Sequence, residues 1–307
     1  MNKENTTFEV VIIGGSYAGL SAAMALGRAL RNVLVIDSGK PCNAQTPHSH
    51  NFITQDGETP AVIAAKAKAQ VMQYPTVQFL NDTAVAVSGE NSHFVVTTAS
   101  ALTIKAKKIL FATGVKDIMP AIEGFANCWG ISVIHCPYCH GYEYKGQSTG
   151  ILMNGDMAID MAELIDNWTK QLTIFTNGKS TISSSRLEQF LKLSQVQVVE
   201  KEIRSFQHLN GQLQQIEFTD GSSQTLEAIY ARPAFVQQSN IPELLGCNFT
   251  EAGYLVVDDM QKTNIPGIYA AGDNVTMRRS VSGAVATGGL AGAIINHELI
   301  ADKFGRH

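Results

Sequence analysis

Residues 8 to 37 leave few folds open. Phe8-Glu-Val-Val-Ile-Ile13 is apolar and β-branched, as a strand buried on both faces of a parallel sheet must be. It runs straight into Gly14-Gly15-Ser16-Tyr17-Ala18-Gly19; a helical pattern follows from Leu20 to Leu30, and a second strand, Val33 to Ile36, ends in Asp37. Strand, glycine turn, helix, strand and acid, in that order, form a dinucleotide-binding fingerprint in its proper setting. Glycines let the backbone approach a pyrophosphate at the helix N-terminus, and an acid about 20 residues on holds a pair of ribose hydroxyls. Ser16 stands at the middle glycine position, where its hydroxyl can donate to a phosphate. Gly14, Gly15, Ser16, Tyr17, Ala18, Gly19 and Asp37 are therefore candidate cofactor-binding residues.

The pattern recurs. Lys108-Ile-Leu-Phe-Ala-Thr-Gly114 is another apolar strand, ending in Ala112-Thr113-Gly114. Near the far end, Gly267-Ile-Tyr-Ala-Ala-Gly272-Asp273-Asn274 repeats strand, glycine and acid. A helix of small residues is predicted from Ser282 to Ile300, with Gly283, Gly288, Gly289 and Gly292 in it. Glycines so dense cost a helix stability: tight packing on a sheet accounts for the later ones, while Gly272-Asp273 points to a cofactor held against the helix's first turn. Between these ends lies a second αβ unit. Ser148 to Ala158 enters a predicted helix, Ile159 to Lys170, and the strand Leu172 to Phe175 follows. Here the fingerprint is altered: Met153 replaces the first glycine, and Asp156 sets a carboxylate where a pyrophosphate would repel it. The next strand end, Phe175-Thr176-Asn177-Gly178-Lys179, carries neither the acid of an NAD site nor the basic cluster of an NADP site. Use of NADPH is left open.

Ahead of this second unit stands Cys136-Pro137-Tyr138-Cys139-His140-Gly141-Tyr142-Glu143. A C-x-x-C pair serves as a redox-active disulfide, as half of a zinc site or, with a following histidine, as a haem attachment. Zinc needs further ligands at close spacing, while Cys42, Cys128 and Cys247 stand alone and read as buried or incidental. Covalent haem is normally attached after export, and the stretch from Met1 to Glu9 is polar with no apolar h-region. The redox reading has dinucleotide signals on both sides of it. Pro137 permits a helix to open at the pair, whose N-terminus lowers one thiol pKa, while the second thiol resolves any mixed disulfide.

At 307 residues the chain exceeds one ordinary domain, so two are expected. A net charge of -4 argues against a nucleic-acid or anionic-membrane surface. No apolar run is expected to reach the length of a membrane span. The expected compartment is a reducing cytoplasm, where a C-x-x-C is more often catalytic than structural.

The loop from Ser38 to Phe52 is rich in turn formers and histidine. Ser38, Lys40, Asn43 and His50 are its candidate cofactor contacts; His48 and His50 alone are too few for a metal. Thr59 to Gln73 reads as an amphipathic helix. Val77 to Leu80, Ala84 to Val87, Phe94 to Thr98 and Leu102 to Lys105 read as short strands of an antiparallel excursion.

Gly14 to Gly19 with Asp37, Ala112-Thr113-Gly114, the Cys136 and Cys139 pair, and Gly272-Asp273 together resemble the low-molecular-weight thioredoxin reductase family of flavoproteins over essentially the whole chain. Cys-Pro-Tyr-Cys-His-Gly-Tyr-Glu is similar to the branch containing dithiol oxidases of epidithiol natural-product pathways. The resemblance implies an α/β fold of two Rossmann-like dinucleotide-binding domains, three-layer ββα, the second inserted into the first. It implies an FAD domain in two segments, 1–117 and 241–307, around an inserted NAD(P)-type domain, 118–240, that carries the pair. It implies that Cys139 exchanges charge with FAD and Cys136 with the substrate. His140 stands where the family has an aspartate proton donor, and titrates near neutrality. Asn51, Val85, Ser280 and Val281 fall at family FAD contacts. The implied partners are a thioredoxin-like protein or a small-molecule disulfide or dithiol, in a homodimer whose inserted domain rotates about Val115 to Pro120. Four functions follow: an NADPH-dependent disulfide reductase, an oxygen-dependent dithiol oxidase, a reductase fed by another donor such as ferredoxin, or a flavin redox sensor without turnover.

Overall fold

The structure, a computed structural model, describes residues 7–306 and divides into two compact units. The first takes Met1–Ala44, Ala61–Lys116 and Phe235–His307; the second takes Gln45–Pro60 and Asp117–Ala234. The chain opens with β1 (Thr7–Ile13), α1 (Tyr17–Arg28), β2 (Val33–Asp37), α2 (Pro60–Val71) and β3 (Val77–Asn81). β4 (Ala84–Ser88), β5 (Phe94–Thr98), β6 (Thr103–Phe111) and β7 (Val115–Asp117) follow. Next come α3 (Phe125–Cys128), β8 (Val133–Ile134), α4 (Pro137–His140), β9 (Thr149–Leu152), α5 (Asp156–Ile165) and β10 (Leu172–Phe175). α6 (Ser184–Leu191), β11 (Val196–Val199), β12 (Ile203–Leu209), β13 (Gln212–Phe218), β14 (Ser223–Thr225) and β15 (Ala228–Ala231) complete the middle of the chain. β16 (Phe235–Gln237), α7 (Ile241–Leu244), β17 (Ile268–Ala270) and α8 (Val281–Lys303) close it.

In the first unit the sheet runs β3-β2-β1-β6-β5-β4, with β17 also paired to β6. Period-two alternation sorts its side chains: Val10, Ile12, Val33 and Val35 pack with Leu26 and Ile295 of α1 and α8. Val11, Ile13, Leu34 and Ile36 face Phe94, Val96, Ile241 and Leu255 on the other side. Each such side chain contributes about 1.5–3 kcal/mol of burial, so the sheet interior holds the unit together.

Two strand expectations are corrected. β3 is not part of an antiparallel excursion: it pairs parallel with β2, Val77 opposite Val33, while β4, β5 and the first half of β6 pair antiparallel in turn, as expected. Leu102 to Lys105 and Lys108 to Phe111 are not two strands but the single β6. Its first half alternates buried and exposed beside β5, and its second half is buried throughout between β1 and β17. The hydrophobic pattern therefore changes within one strand, which reads as a break. Lys108 sits at that change, fully buried, with its ammonium 2.8 Å from Asn91 Oδ1 and 2.8 Å from Asp302 Oδ2.

α8 also departs from expectation. It is long and apolar enough to span a membrane by length and composition, whereas no such run was expected. Its glycines serve packing on α1: a Cβ on Gly288 would collide with the Ala18 backbone, and one on Gly292 would lie 2.7 Å from Ala22 O. A helix that gives up propensity at these positions gains a close helix pair in return.

The second unit has a parallel sheet, β11-β10-β9-β15-β8, and an antiparallel one, β12-β13-β14. Ile151, Ile174 and Tyr230 meet Ile159 and Ala162 of α5 and Phe190 of α6. Phe175 and Ile229 face Phe206, Ile216 and Phe218 from the antiparallel sheet. Helices, parallel sheet and antiparallel sheet make three layers. α5 spans Asp156–Ile165 rather than the predicted Ile159 to Lys170, because Gly155 turns the chain into it at φ +75° and Trp168 N–H closes on Ile165 O.

Gly288→Val should destabilise the first unit by about 1–3 kcal/mol through overpacking, read as a lower denaturant midpoint at unchanged slope. An unchanged midpoint would show that α1 and α8 do not pack as described.

Candidate functional site

The turn between β1 and α1 has no room for a side chain at Gly14 or Gly15. Gly14 holds φ +107°, and a Cβ there would strike Ala112 O at the end of β6. A Cβ on Gly15 would lie 2.8 Å from Asp37 Cβ, and Gly15 N–H donates to Asp37 Oδ1 at 3.1 Å. No acid stands in the first turn of α1, and its N-cap Ser16 makes no side-chain capping bond. These are the conditions under which helix-start amides receive an anion. Around this turn the first unit gathers further polar groups. Thr113 Oγ1 is buried without a hydrogen-bond partner. Arg279 Nε lies 3.7 Å from Asp273 Oδ2, Gly272 N–H donates to Thr287 Oγ1, and Ser280 Oγ caps α8 by accepting Gly283 N–H at 3.0 Å. Burial pushes the Tyr17 phenol up, partly offset by its hydrogen bond with Asn43. Ser38 and Lys40 lie exposed on the loop after β2, Val85 is half-exposed on β4, and Val281 opens α8.

The second unit carries the cysteines. Cys136 and Cys139 form a disulfide, with Cα atoms 5.3 Å apart. Cys136 is the N-cap of α4, and its Sγ accepts the Cys139 N–H at 3.2 Å. Because α4 is only four residues long, this direct contact, more than a helix dipole, is what can stabilise a thiolate there. Gly141 follows closely: a Cβ would press on its own turn and lie 3.1 Å from the Trp168 ring. Tyr138 stands edge-on to Trp168, and Tyr138 and Tyr142 are both mostly exposed beside the disulfide. Cys128 and Cys247 are buried, as expected, while Cys42 is exposed.

Burial lowers the His140 pKa below its ordinary value; Glu143 opposes the shift and His50 adds to it. His50 and Asn51 belong to the Gln45–Pro60 stretch of this second unit. His50 Nε2 lies 3.5 Å from Glu143 Oε1 and its Nδ1 3.6 Å from Asp56 Oδ1. Sequence reasoning gave Glu143 and Asp56 no role. The placement of Glu143 three residues after His140 was the available signal, since that spacing sets two side chains on one side of a turn.

The second dinucleotide turn is closed by its own side chains. Asn154 Oδ1 accepts Gly155 N–H and Thr181 N–H at 2.8 Å each and Thr181 Oγ1–H at 3.1 Å, while its Nδ2 donates to Lys179 O. Asp156 accepts Ser183 N–H at 2.8 Å and Ser183 Oγ–H at 3.1 Å, which hold its carboxyl below the usual range. Arg186 is committed to Asp160 and Glu163.

Residues 8–288 match the pyridine nucleotide-disulphide oxidoreductase family. The chain belongs to it. As a pyridine nucleotide-disulphide oxidoreductase it is 32% identical to the thioredoxin reductase tcpT of Claviceps purpurea (strain 20.1), over 97% of this chain and 96% of that one. The crystal structure of an oxidoreductase from Agrobacterium tumefaciens is similar at 35% identity and TM-score 0.89, covering 96% of this chain and 99% of its own. That of the putative thioredoxin reductase TrxB from Bacillus anthracis matches at 31% and TM-score 0.91, covering 97% and 100%. This pyridine nucleotide-disulphide oxidoreductase is thus a thioredoxin reductase-like enzyme acting on disulfides, with the two Rossmann-like folds such proteins share.

The lowered His140 pKa has a stability consequence. Above the unfolded value of about 6.5 both states are neutral and the full stability is present. As pH falls through it the unfolded chain protonates first, so stability is lost until the folded value is passed. Urea midpoints measured across this window should fall with pH in the wild type and fall less in His140→Gln; equal slopes would show that His140 is not buried as described.

Proposed function

We propose that this enzyme oxidises dithiols: a substrate dithiol reduces the Cys136–Cys139 disulfide, and the electrons pass to bound FAD and on to dioxygen. The observation that carries the direction is the closed second turn. Asn154 and Asp156 hold the Lys179–Ser183 loop across the start of α5, and Asp156 puts a carboxylate at the helix end that would otherwise receive a pyrophosphate. Opening it for NADPH costs several hydrogen bonds and sets like charges together.

The first turn, by contrast, fits a dinucleotide. Gly14 to Gly19 and the α1 N-terminus would hold the FAD pyrophosphate, Asp37 the ribose, and Ala112 to Gly114, Gly272, Asp273, Ser280 and Val281 the remainder. When bound, FAD supplies the two-electron sink that returns the cysteine pair to the disulfide, with dioxygen reduced to hydrogen peroxide as terminal oxidant.

The protein's own steps are thiol exchanges. A substrate thiolate attacks Cys136 Sγ; the Sγ–Sγ bond breaks and Cys139 leaves as thiolate. The second substrate thiolate then attacks the substrate sulfur bound to Cys136, which leaves in turn. The substrate has lost two electrons to the cysteine pair, and its two protons go to the cysteine thiols. His140, held neutral by burial, is the base beside the pair. The exposed Tyr138 and Tyr142 favour a small substrate with an apolar body over a long protein groove.

Anaerobic mixing tests the direction: an excess of a small dithiol should bleach the flavin within seconds, and NADPH or NADH should leave it oxidised. Rapid bleaching by NADPH would restore an ordinary reductase. Cys139→Ser should keep the flavin and lose the exchange, whereas Asp37→Ala should weaken flavin binding about 10- to 100-fold, the worth of hydrogen bonds to a charged group. Stoichiometric flavin in Asp37→Ala after dialysis would remove the assigned ribose contact.

A further inference from the structure

Gln45–Pro60 belongs to the second unit although the chain on both sides of it belongs to the first. An antiparallel bridge joins Ser49 to Glu58, and Asn51 and Thr54 hold φ +59° and +74°, values that side-chain-bearing residues seldom adopt. Such strain is maintained only where the surrounding structure fixes it. Its result is a histidine with a carboxylate at each nitrogen. Glu143 Oε1 lies 3.5 Å from His50 Nε2, and Asp56 Oδ1 lies 3.6 Å from His50 Nδ1 while accepting the Asn51 N–H at 2.7 Å. The His50 side chain is 22% exposed and that of Asp56 is 67% exposed, so the series runs from the cysteine segment to water.

At the inner end Gly141 continues the turn in the right-handed helical region, and Glu143 follows His140 by three residues. The groups that face Glu143 electrostatically are His140, His50, Tyr144 and Tyr230. His48 stands 6.4 Å from the His50 ring, its Nδ1 turned to Gly57 O at 2.9 Å. Among the described residues no three His, Cys, Asp or Glu converge as a metal site would require.

We propose that Glu143 and His50 are positioning residues for the cysteine pair: held to each other and, through His50, to Asp56, they set the charge that His140 meets three residues before Glu143. It rests on the reading that Cys136–Cys139 exchanges with an external thiol. When a substrate thiol attacks Cys136 Sγ its proton passes to His140, the Sγ–Sγ bond breaks, and the electron pair leaves on Cys139 Sγ. The proton then returns to that thiolate. Both gaps to His50 exceed a direct hydrogen bond by a few tenths of an ångström, so a small side-chain motion or one bridging water closes each contact.

The test follows disulfide reduction in the purified flavoprotein. The protein is mixed with dithiothreitol, quenched with an alkylating reagent and weighed by mass spectrometry, at steps from about pH 5 to 8, where a histidine titrates. His140→Gln identifies the low-pH limb by abolishing it. Glu143→Gln removes an anion from beside His140 and should shift that limb to lower pH; His50→Gln removes a cation-forming group and should shift it to higher pH, each by about half a unit or more. Glu143→Asp should return the limb towards the wild-type position. Opposite shifts support the series; unmoved limbs, or shifts in the same direction, overturn it. Wild-type protein that yields no alkylated pair at any pH would instead remove the thiol-exchange reading itself.

Discussion

The structure depends on the impossibility of a side chain at Gly14. β1, β6 and α1 converge there so closely that a methyl group would meet the Ala112 carbonyl, and Gly19 is equally confined against Gly14 O. This contact sets where α1 starts, and α1 in turn receives α8 through Ala18 and Ala22. The helix N-terminus is consequently open, flanked by Asp37 and free of acids in its first turn. A single steric constraint thus fixes the packing of the first unit and sets the α1 amides where the proposed pyrophosphate contact needs them.

The second unit repeats the topology without that constraint. Gly155 also holds a positive φ, +75°, but a Cβ there meets nothing nearer than Thr181 Oγ1 at 3.6 Å. The space is taken by polar side chains: Asn154 and Asp156 satisfy the backbone of the following loop, as a bound phosphate elsewhere satisfies helix-start amides. The fold is kept, and internal hydrogen bonds occupy the turn. Fold resemblance alone would assign a nicotinamide here, so the proposed function is argued from the site.

Much of this was legible in the sequence. The order of β1, Gly14 to Gly19, α1, β2 and Asp37 is local, and each element announces itself by period or by glycine. β6 was misread because its environment changes midway, and periodicity reports environment before it reports backbone. Lys108 marked the change, but its buried pairing with Asp302 joins residues far apart in sequence, which no local pattern encodes. The same holds for His50. The stretches on either side of Gln45–Pro60 belong to the first unit, whereas the His50 ion pair with Glu143 is made in the second. The departures at Met153 and Asp156 could be read as a weakened fingerprint; that Asp156 is bound by Ser183 required the folded loop.

The choice of histidine after the second cysteine bears on the proposed direction. A carboxylic acid beside a disulfide must be kept protonated by burial if it is to give a proton, and burial also makes its anion costly once the proton has gone. An imidazole has the opposite bias: burial favours its neutral form, which is ready to take a proton from an incoming thiol. His140 is so biased, and the nearby Glu143 limits the penalty when the ring becomes cationic. A site meant to protonate a leaving thiolate benefits from the first arrangement, and one that must accept a thiol proton benefits from the second. The residue at 140 and the closed turn at Asn154 and Asp156 lie in different parts of the second unit's sequence, and both favour electrons entering from the thiol substrate.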